Sequence, residues 1–247
     1  MSDQSNIGVT PVELNPTIDR AQIQSRFAAT GRAQIKDILT EQSAEQFFKC
    51  LTEELPWRLA FNDGSQHQEL TREQTDNLGP QEQAQLQHGI FERATRQFQY
   101  AYADYPVAKT LNSPTEPKFF VHDVLRFLNG ETFRSFLLDA TGLEGKMYAD
   151  GHATCFQPGH FRTIHDDTDT DNIRVLAYAF NMTRNWRPDW GGALQFFNQD
   201  LEIEESFAPI FNALTIYKVP QAHAVSFVPP YAQGGWFGMT GWFHAAD

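Results

Sequence analysis

From residue 145 to the end, the chain is a succession of short apolar runs separated by Gly, Pro, Asn and Asp. Runs of this length, bounded by turn formers, are strands rather than helices. Eight fall at 146–156, 161–165, 173–182, 193–197, 201–203, 213–219, 224–228 and 236–243. Eight short strands packed into about a hundred residues is the count of a jelly roll or double-stranded β-helix. Residues 183–192 form a connection whose Gly191-Gly192 end suits a tight turn before the next strand.

Residues 1–144 read differently. Ser43-x-x-Gln46 has the form of a capping box, with Phe47, Phe48 and Leu51 following at helical spacing and Pro56 as a stop. Leu86, Ile90, Ala94, Phe98 and Tyr102 recur in steps of four and predict a long helix. Val124, Leu125 and Leu128 run into Gly130, and Phe133, Phe136 and Leu137 run into Gly142, each glycine at a C-cap position. An apolar segment at 33–39 is a strand able to join the later sheet, and the polar stretch 60–80 reads as a loop. The expectation is one α+β domain over 1–247, with 1–144 as mostly helical support and 145–247 as a double-stranded β-helix core.

Composition narrows the function. Nineteen Lys and Arg against 31 Asp and Glu give a formal charge of −12, which argues against nucleic-acid and anionic-membrane partners. A 41% hydrophobic content excludes whole-chain disorder, and 21 phenylalanines signal a large packed core. No run reaches the roughly 18 apolar residues of a membrane helix. Met1-Ser2-Asp3-Gln4 does not begin a secretory signal. Cys50 and Cys155 have no metal-type spacing and read as free thiols, so the expected location is the reducing cytoplasm.

Chemistry concentrates at His165-Asp166-Asp167. On a strand, residues two apart share a face, so His165 and Asp167 are placed to bind one metal while Asp166 points away. His223, at the mouth of another strand, supplies a second imidazole. Two histidines and a carboxylate on one face form the facial triad of non-haem Fe(II) oxygenases. A His-x-acid triplet alone is common: His67-x-Glu69 is one, in the polar stretch. The bland alternative for His165 is a turn histidine, since Asp169, Thr170, Asp171 and Asn172 follow. His152 and His160 read as turn or supporting residues, and His122 and His244 as structural.

Longer stretches are more specific. Phe156-Gln-Pro-Gly-His-Phe-Arg-Thr-Ile-His-Asp-Asp, Arg174-Val-Leu-Ala-Tyr-Ala-Phe-Asn through Trp190-Gly-Gly-Ala-Leu-Gln-Phe-Phe, Asn212-Ala-Leu, Val219-Pro-Gln-Ala-His and Thr240-Gly-Trp-Phe resemble the bacterial prolyl-4-hydroxylase-like branch of the Fe(II)/2-oxoglutarate dioxygenases. The stretch from Gly31 through Trp57 is also similar to bacterial members. The resemblance implies a double-stranded β-helix, Fe(II) held by His165, Asp167 and His223, 2-oxoglutarate and O2 as cosubstrates, and hydroxylation of an unactivated C–H bond. The implied substrate is a small molecule or peptidyl residue, with proline as the family-level guess; oligomeric state is not implied.

One departure bears on the cosubstrate. The family places an Arg six residues before the Trp of Thr-Gly-Trp, where it pairs with the far carboxylate of 2-oxoglutarate. Here that position is Trp236, and no Lys or Arg follows Lys218. An indole has one donor and no charge, so it cannot replace a guanidinium. Arg174 and Lys218, then Arg162, are the candidate substitutes, each with a rim charge as its bland alternative. Tyr178 and Thr240 are candidate cosubstrate contacts. Trp186 and Trp190 read as pins for the 183–192 connection or as an aromatic rim. Two further readings stay open. One is a 2-oxoglutarate-independent Fe(II) oxidase or oxygenase whose substrate ligates iron directly. The other is a non-catalytic β-sandwich that retains a metal.

Overall fold

The computed structural model describes residues 11–169 and 173–246. The start Met1–Gln4 and Thr170, Asp171 and Asn172, on which the turn reading of His165 rested in part, lie outside them.

The strands after residue 145 form the predicted double-stranded β-helix, although the one expected at 201–203 runs from 203 to 207, because Leu201 takes a left-handed turn (φ 62°). They are β6 (His152–Phe156), β7 (Phe161–His165), β8 (Arg174–Asn181), β9 (Leu194–Phe197), β10 (Ile203–Phe207), β11 (Ala213–Lys218), β12 (His223–Val225) and β13 (Trp236–Ala246). One four-stranded layer runs β11-β8-β13-β6 and the facing one runs β7-β12-β9-β10, with antiparallel pairing in both. A strand from the first part of the chain, β4 (Tyr100–Tyr105), pairs with both β6 and β7 and nearly closes the barrel. β1 (Arg32–Lys36) extends the other edge by pairing with β11, as the 33–39 pattern allowed. β5 (Lys146–Ala149) adds to the end of β13, so the expected 146–156 strand is two strands broken at Asp150-Gly151.

Alternation sorts the side chains. Leu176, Tyr178 and Phe180 of β8, Leu214 and Ile216 of β11, and Met239 and Phe243 of β13 face outward onto the helices. The helical layer is α1 (Arg20–Thr30), α2 (Glu41–Lys49), α5 (Val107–Thr110), α6 (Phe120–Leu128) and α7 (Glu131–Thr141), while α3 (Arg72–Asp76) and α4 (Pro80–Ala94) lie elsewhere, with Ile90 of α4 packed against Phe61, Ala101 and Phe161. The many phenylalanines meet in this layer: Phe47 packs edge-on to Phe180 at 5.9 Å and Phe133 stacks on Phe243 at 6.1 Å. Each buried ring contributes about 1.5–3 kcal/mol. The opposite faces of β8 and β13 carry Ala177, Ala179, Gly238 and Thr240. Small residues there leave space inside the barrel.

Four expectations need correction. The step-of-four pattern from Leu86 to Tyr102 is helical only to Ala94; Tyr100 and Tyr102 belong to β4, where burial between two strands overrides the helical spacing. Residues 60–80 are not a loop. β2 (Arg58–Asn62) and β3 (His67–Thr71) form a hairpin whose turn is held by the Asp63 carboxylate, which accepts from the amides of Ser65 and Gln66, and α3 follows. α2 starts before the proposed box, with Thr40 as its N-cap, and the Ser43 hydroxyl instead accepts from the amide of Glu13. Gly142 caps α7 in the left-handed conformation as expected (φ 68°), but Gly130 is the N-cap of that helix and Asn129 closes α6. No helix among the described residues is long and apolar enough to cross a membrane.

Candidate metal centre

β7 and β12 are antiparallel neighbours, and their pairing sets His165 directly opposite His223. The two rings lie 4.0 Å apart, centroid to centroid. Asp167 reaches them by another route than strand phase, because β7 ends at His165. Its backbone is left-handed (φ 63°), which aspartate tolerates better than most residues. The chain turns back and brings one carboxylate oxygen to 3.3 Å from His165 Nε2 and the other to 3.3 Å from His223 Nε2. All three ligand atoms lie within 4.8 Å of one another.

The hydrogen bonds fix which nitrogens face inward. His165 Nδ1–H donates to the Thr163 carbonyl at 2.9 Å, and His223 Nδ1–H donates to the Gln221 carbonyl at 2.8 Å. A carbonyl only accepts, so both protons sit on Nδ1 and both Nε2 lone pairs point at the carboxylate. Burial pushes His223 down to about 4, helped by the neighbouring His165, and it lowers His165 as well, helped by Arg162. Burial would raise Asp167, but the His165 contact and the charges of His223 and Arg162 outweigh it and hold the carboxyl well below the usual range. At neutral pH the cluster is therefore two imidazole lone pairs converging on a carboxylate. His165 Nε2 is buried with no hydrogen-bond partner among the described residues. Converging acceptors repel unless a cation sits between them, and two imidazoles with one carboxylate suit Fe(II). The donor set fits that ion.

Tyr217, on the interior face of β11, escaped the sequence reading. Its hydroxyl lies 3.0 Å from His223 Nε2 and 3.3 Å from Asp167 Oδ2, one proton shared by two acceptors. The one available signal was its place two residues beyond Thr215 on a strand leading to His223.

One cavity adjoins the cluster, and a second lies beyond it, sharing Tyr102, Arg162 and Trp242 with the first. The inner one, about 40 Å³, is bounded by Asp167, His223, Thr154, Phe156, Trp236 and Thr240 among others. The outer one, about 450 Å³, is lined by Tyr100, Asp104, His152, Arg162, Arg174 and Trp242 among others. The outer pocket mixes charges: Asp104 is buried 2.9 Å from His152 Nδ1, and His67, Glu69 and Lys109 sit at its border. The 60–80 hairpin thus flanks the opening through His67 and Glu69, while His152 supports the pocket wall.

The cosubstrate candidates separate cleanly. Trp236 does point into the barrel, where it meets Phe156 edge-on at 5.1 Å and packs among Tyr102, Val228 and Ala232. Thr240 also faces inward, with no partner for its hydroxyl among the described residues. Arg174 turns inward because a register shift opposite the start of β8 breaks the alternation; its guanidinium lies 3.9 Å over the Trp242 ring and donates to the Asp167 carbonyl at 3.2 Å. Tyr178 faces the helices instead, and its hydroxyl donates to the Asp150 carbonyl at 2.8 Å. Lys218 is exposed at the end of β11, its ammonium over the Phe27 ring on the helical side, so it is a rim charge and not part of the site. Among the described residues, Arg162 is the cation that comes nearest the ligand atoms, 3.6 Å from Asp167 Oδ1. Trp186 and Trp190 pack edge-on at 5.4 Å against the apolar end around Trp236, which favours the pinning role. Gly191 and Gly192 close that connection with φ of 65° and 67°, and a Cβ on Gly191 would stand 2.0 Å from the Phe227 carbonyl oxygen.

Comparison with known proteins agrees with this geometry. Residues 151–244 match the 2OG-Fe(II) oxygenase superfamily. A Pseudomonas putida prolyl-4-hydroxylase is similar at 19% identity and a TM-score of 0.57, over 93% of this chain and 100% of that one. A 2OG-Fe(II) oxygenase family oxidoreductase from Burkholderia pseudomallei is similar at 12% identity and a TM-score of 0.58, over 95% and 94%. A Trichoplax adhaerens prolyl hydroxylase, solved with a hypoxia inducible factor peptide fragment, is similar at 12% identity and 0.58, over 92% and 89%. No curated protein sequence matches. At these identities the structural likenesses show a shared fold, and residues 151–244, which carry His165, Asp167 and His223, match the 2OG-Fe(II) oxygenase superfamily.

Proposed function

We propose that the chain works as one oxygenase domain that holds Fe(II) with His165, Asp167 and His223 and hydroxylates an unactivated C–H bond with O2 and 2-oxoglutarate. The observation that carries the assignment is the convergence of two Nε2 lone pairs and a carboxylate within 4.8 Å in a buried pocket, where the one Tyr217 hydroxyl proton cannot satisfy all three. When bound, the iron supplies the O2 chemistry that side chains cannot. The protein's part is positional. Thr163 and Gln221 carbonyls hold each imidazole in the ligating tautomer, and Tyr217 anchors the far oxygen of Asp167. One face of the cluster opens toward Arg162 and the outer pocket, where a ligand and a substrate would meet. The apolar plug around Trp236 excludes water from the other side.

The outer pocket, about 450 Å³ with both charge signs and an aromatic wall, suits an amino acid, free or at the end of a peptide. The Trichoplax relative is a prolyl hydroxylase with a bound peptide fragment, which makes a prolyl group the first substrate to try. Cys50 and Cys155 are free and buried, in keeping with a reducing cytoplasm.

The test is anaerobic titration of the Fe(II)-loaded protein with 2-oxoglutarate, watching for the visible charge-transfer band of a chelated 2-oxo acid. O2 uptake is then compared with free L-proline and with proline peptides. A band and substrate-stimulated uptake are expected, both lost in His223→Ala. Iron binding without a band points to a substrate that ligates the iron itself. The small inner cavity and Trp236 favour that second reading.

A further inference from the structure

The barrel's last strand offers no cation to an anionic ligand. Its inward positions are Trp236, Gly238, Thr240 and Trp242, and Trp236 sits among Phe156, Val228 and Ala232. A carboxylate pushed to that end would be buried and unpaired, the costliest state for a charge. A cavity of about 40 Å³ leaves it little room.

The opposite wall is built the other way. Arg162 projects inward from β7, with its side chain only 19% exposed and its Nε buried without an acceptor. Around the same space, Thr154 Oγ1, Thr240 Oγ1 and Trp242 Nε1 are also buried without partners among the described residues. These are groups able to donate, gathered beside the ligand cluster with none of them hydrogen-bonded to a described residue. The acid nearest Arg162 is Asp167, at 3.6 Å. Once Asp167 serves a metal, its charge is taken up there and the guanidinium is left buried with no counter-ion. Arg174 also has an unpartnered Nε but is less free: it stacks on Trp242, donates to the Asp167 carbonyl and lies 3.8 Å from Asp169.

Resting on the function proposed above, we propose that Arg162 receives the far carboxylate of a dicarboxylic 2-oxo acid. The anion seat has moved from the last strand to the strand that carries the first histidine. An arginine can make a paired hydrogen bond to a carboxylate there, with the threonine hydroxyls and the Trp242 N–H as neighbours.

The experiment compares 2-oxoglutarate with 2-oxopentanoate, which has the same chain length but no far carboxylate. Binding to the Fe(II)-loaded protein is read anaerobically from the charge-transfer band, and no turnover is needed. The native protein is expected to prefer the dicarboxylic acid by roughly tenfold to a hundredfold. Arg162→Gln should erase that preference while leaving 2-oxopentanoate affinity within about twofold, Arg162→Lys should keep part of it, and Arg174→Gln should keep most of it. The Lys variant carries the test if the Gln variant does not fold. A preference that survives Arg162→Gln, or is lost only in Arg174→Gln, overturns the proposal, as does a native protein that binds both acids equally. A band with neither acid removes the 2-oxo-acid reading itself, and this proposal with it.

Discussion

His165-x-Asp167 and His67-x-Glu69 are nearly the same triplet, and the fold makes opposite things of them. Each pairs its Nε2 with its own acid, at 3.3 Å and 3.0 Å. His67 sits on a hairpin strand at the rim, 43% exposed, and its Nδ1 is 2.7 Å from the Tyr100 hydroxyl. Its neighbours satisfy it. His165 has its Nδ1 fixed by a carbonyl, its Nε2 buried, and a second histidine directly across the strand pair. Adjacency in sequence therefore does not make a metal site. What a site of this kind needs is a third ligand delivered by another strand, in a buried place where the acceptors outnumber the one hydroxyl proton of Tyr217.

The comparison can be broken most decisively at the third ligand. His223→Ala and Asp167→Ala should each lower Fe(II) affinity by more than the roughly hundredfold that losing an outer partner costs; isothermal titration of the apo protein with Fe(II) under anaerobic conditions checks this. Retention of native affinity in either variant would undo the assignment. Tyr217→Phe removes the proton shared by His223 and Asp167 but no ligand. The expected loss is about tenfold in iron affinity, measured in the same titration. His67→Ala should leave iron affinity within about twofold and cost at most about 1 kcal/mol of stability, since its ion pair is exposed. A large loss there would mean that the two triplets are not the opposites described here.

The smallest effect concerns pH. Burial pushes His160, in the turn between β6 and β7, down to about 4 from its ordinary value near 6.5. The unfolded chain takes up a proton at this residue before the folded one does. Stability from this residue is complete above about pH 6.5 and is lost as pH falls toward 4. Thermal melts of the metal-free protein should fall by a few degrees across that window, and His160→Gln should flatten the slope. A melting point that rises on acidification would contradict the burial.

Much of this was legible from residue order. The strand at 161–165 falls where the apolar run placed it, and the Gly142 cap sits where the helical run stopped. Both are local signals, a period of two and a residue that tolerates positive φ. The proposed metal cluster was legible as residue types, although Asp167 joins it by a left-handed turn and not by strand phase. Tyr102 shows where pattern fails. It fits a helical step of four from Ala94 and Phe98, yet it lies in β4, because two strands far along the chain needed a partner between them. The 60–80 hairpin was missed for the same kind of reason: its polar residues sit at the rim of a pocket that exists only once the barrel forms.

The sequence by itself therefore determined the double-stranded β-helix, the helical layer, the identity of the two histidines and the aspartate, and the absence of a cation on the last strand. Only the tertiary structure decided which cations face the interior. A register shift turns Arg174 inward, alternation turns Tyr178 outward, Lys218 ends up over Phe27, and Arg162 reaches Asp167. The reason is physical. A single extra residue in a strand reverses every side chain beyond it, and whether that happens depends on pairing with strands distant in the chain, which no local pattern records.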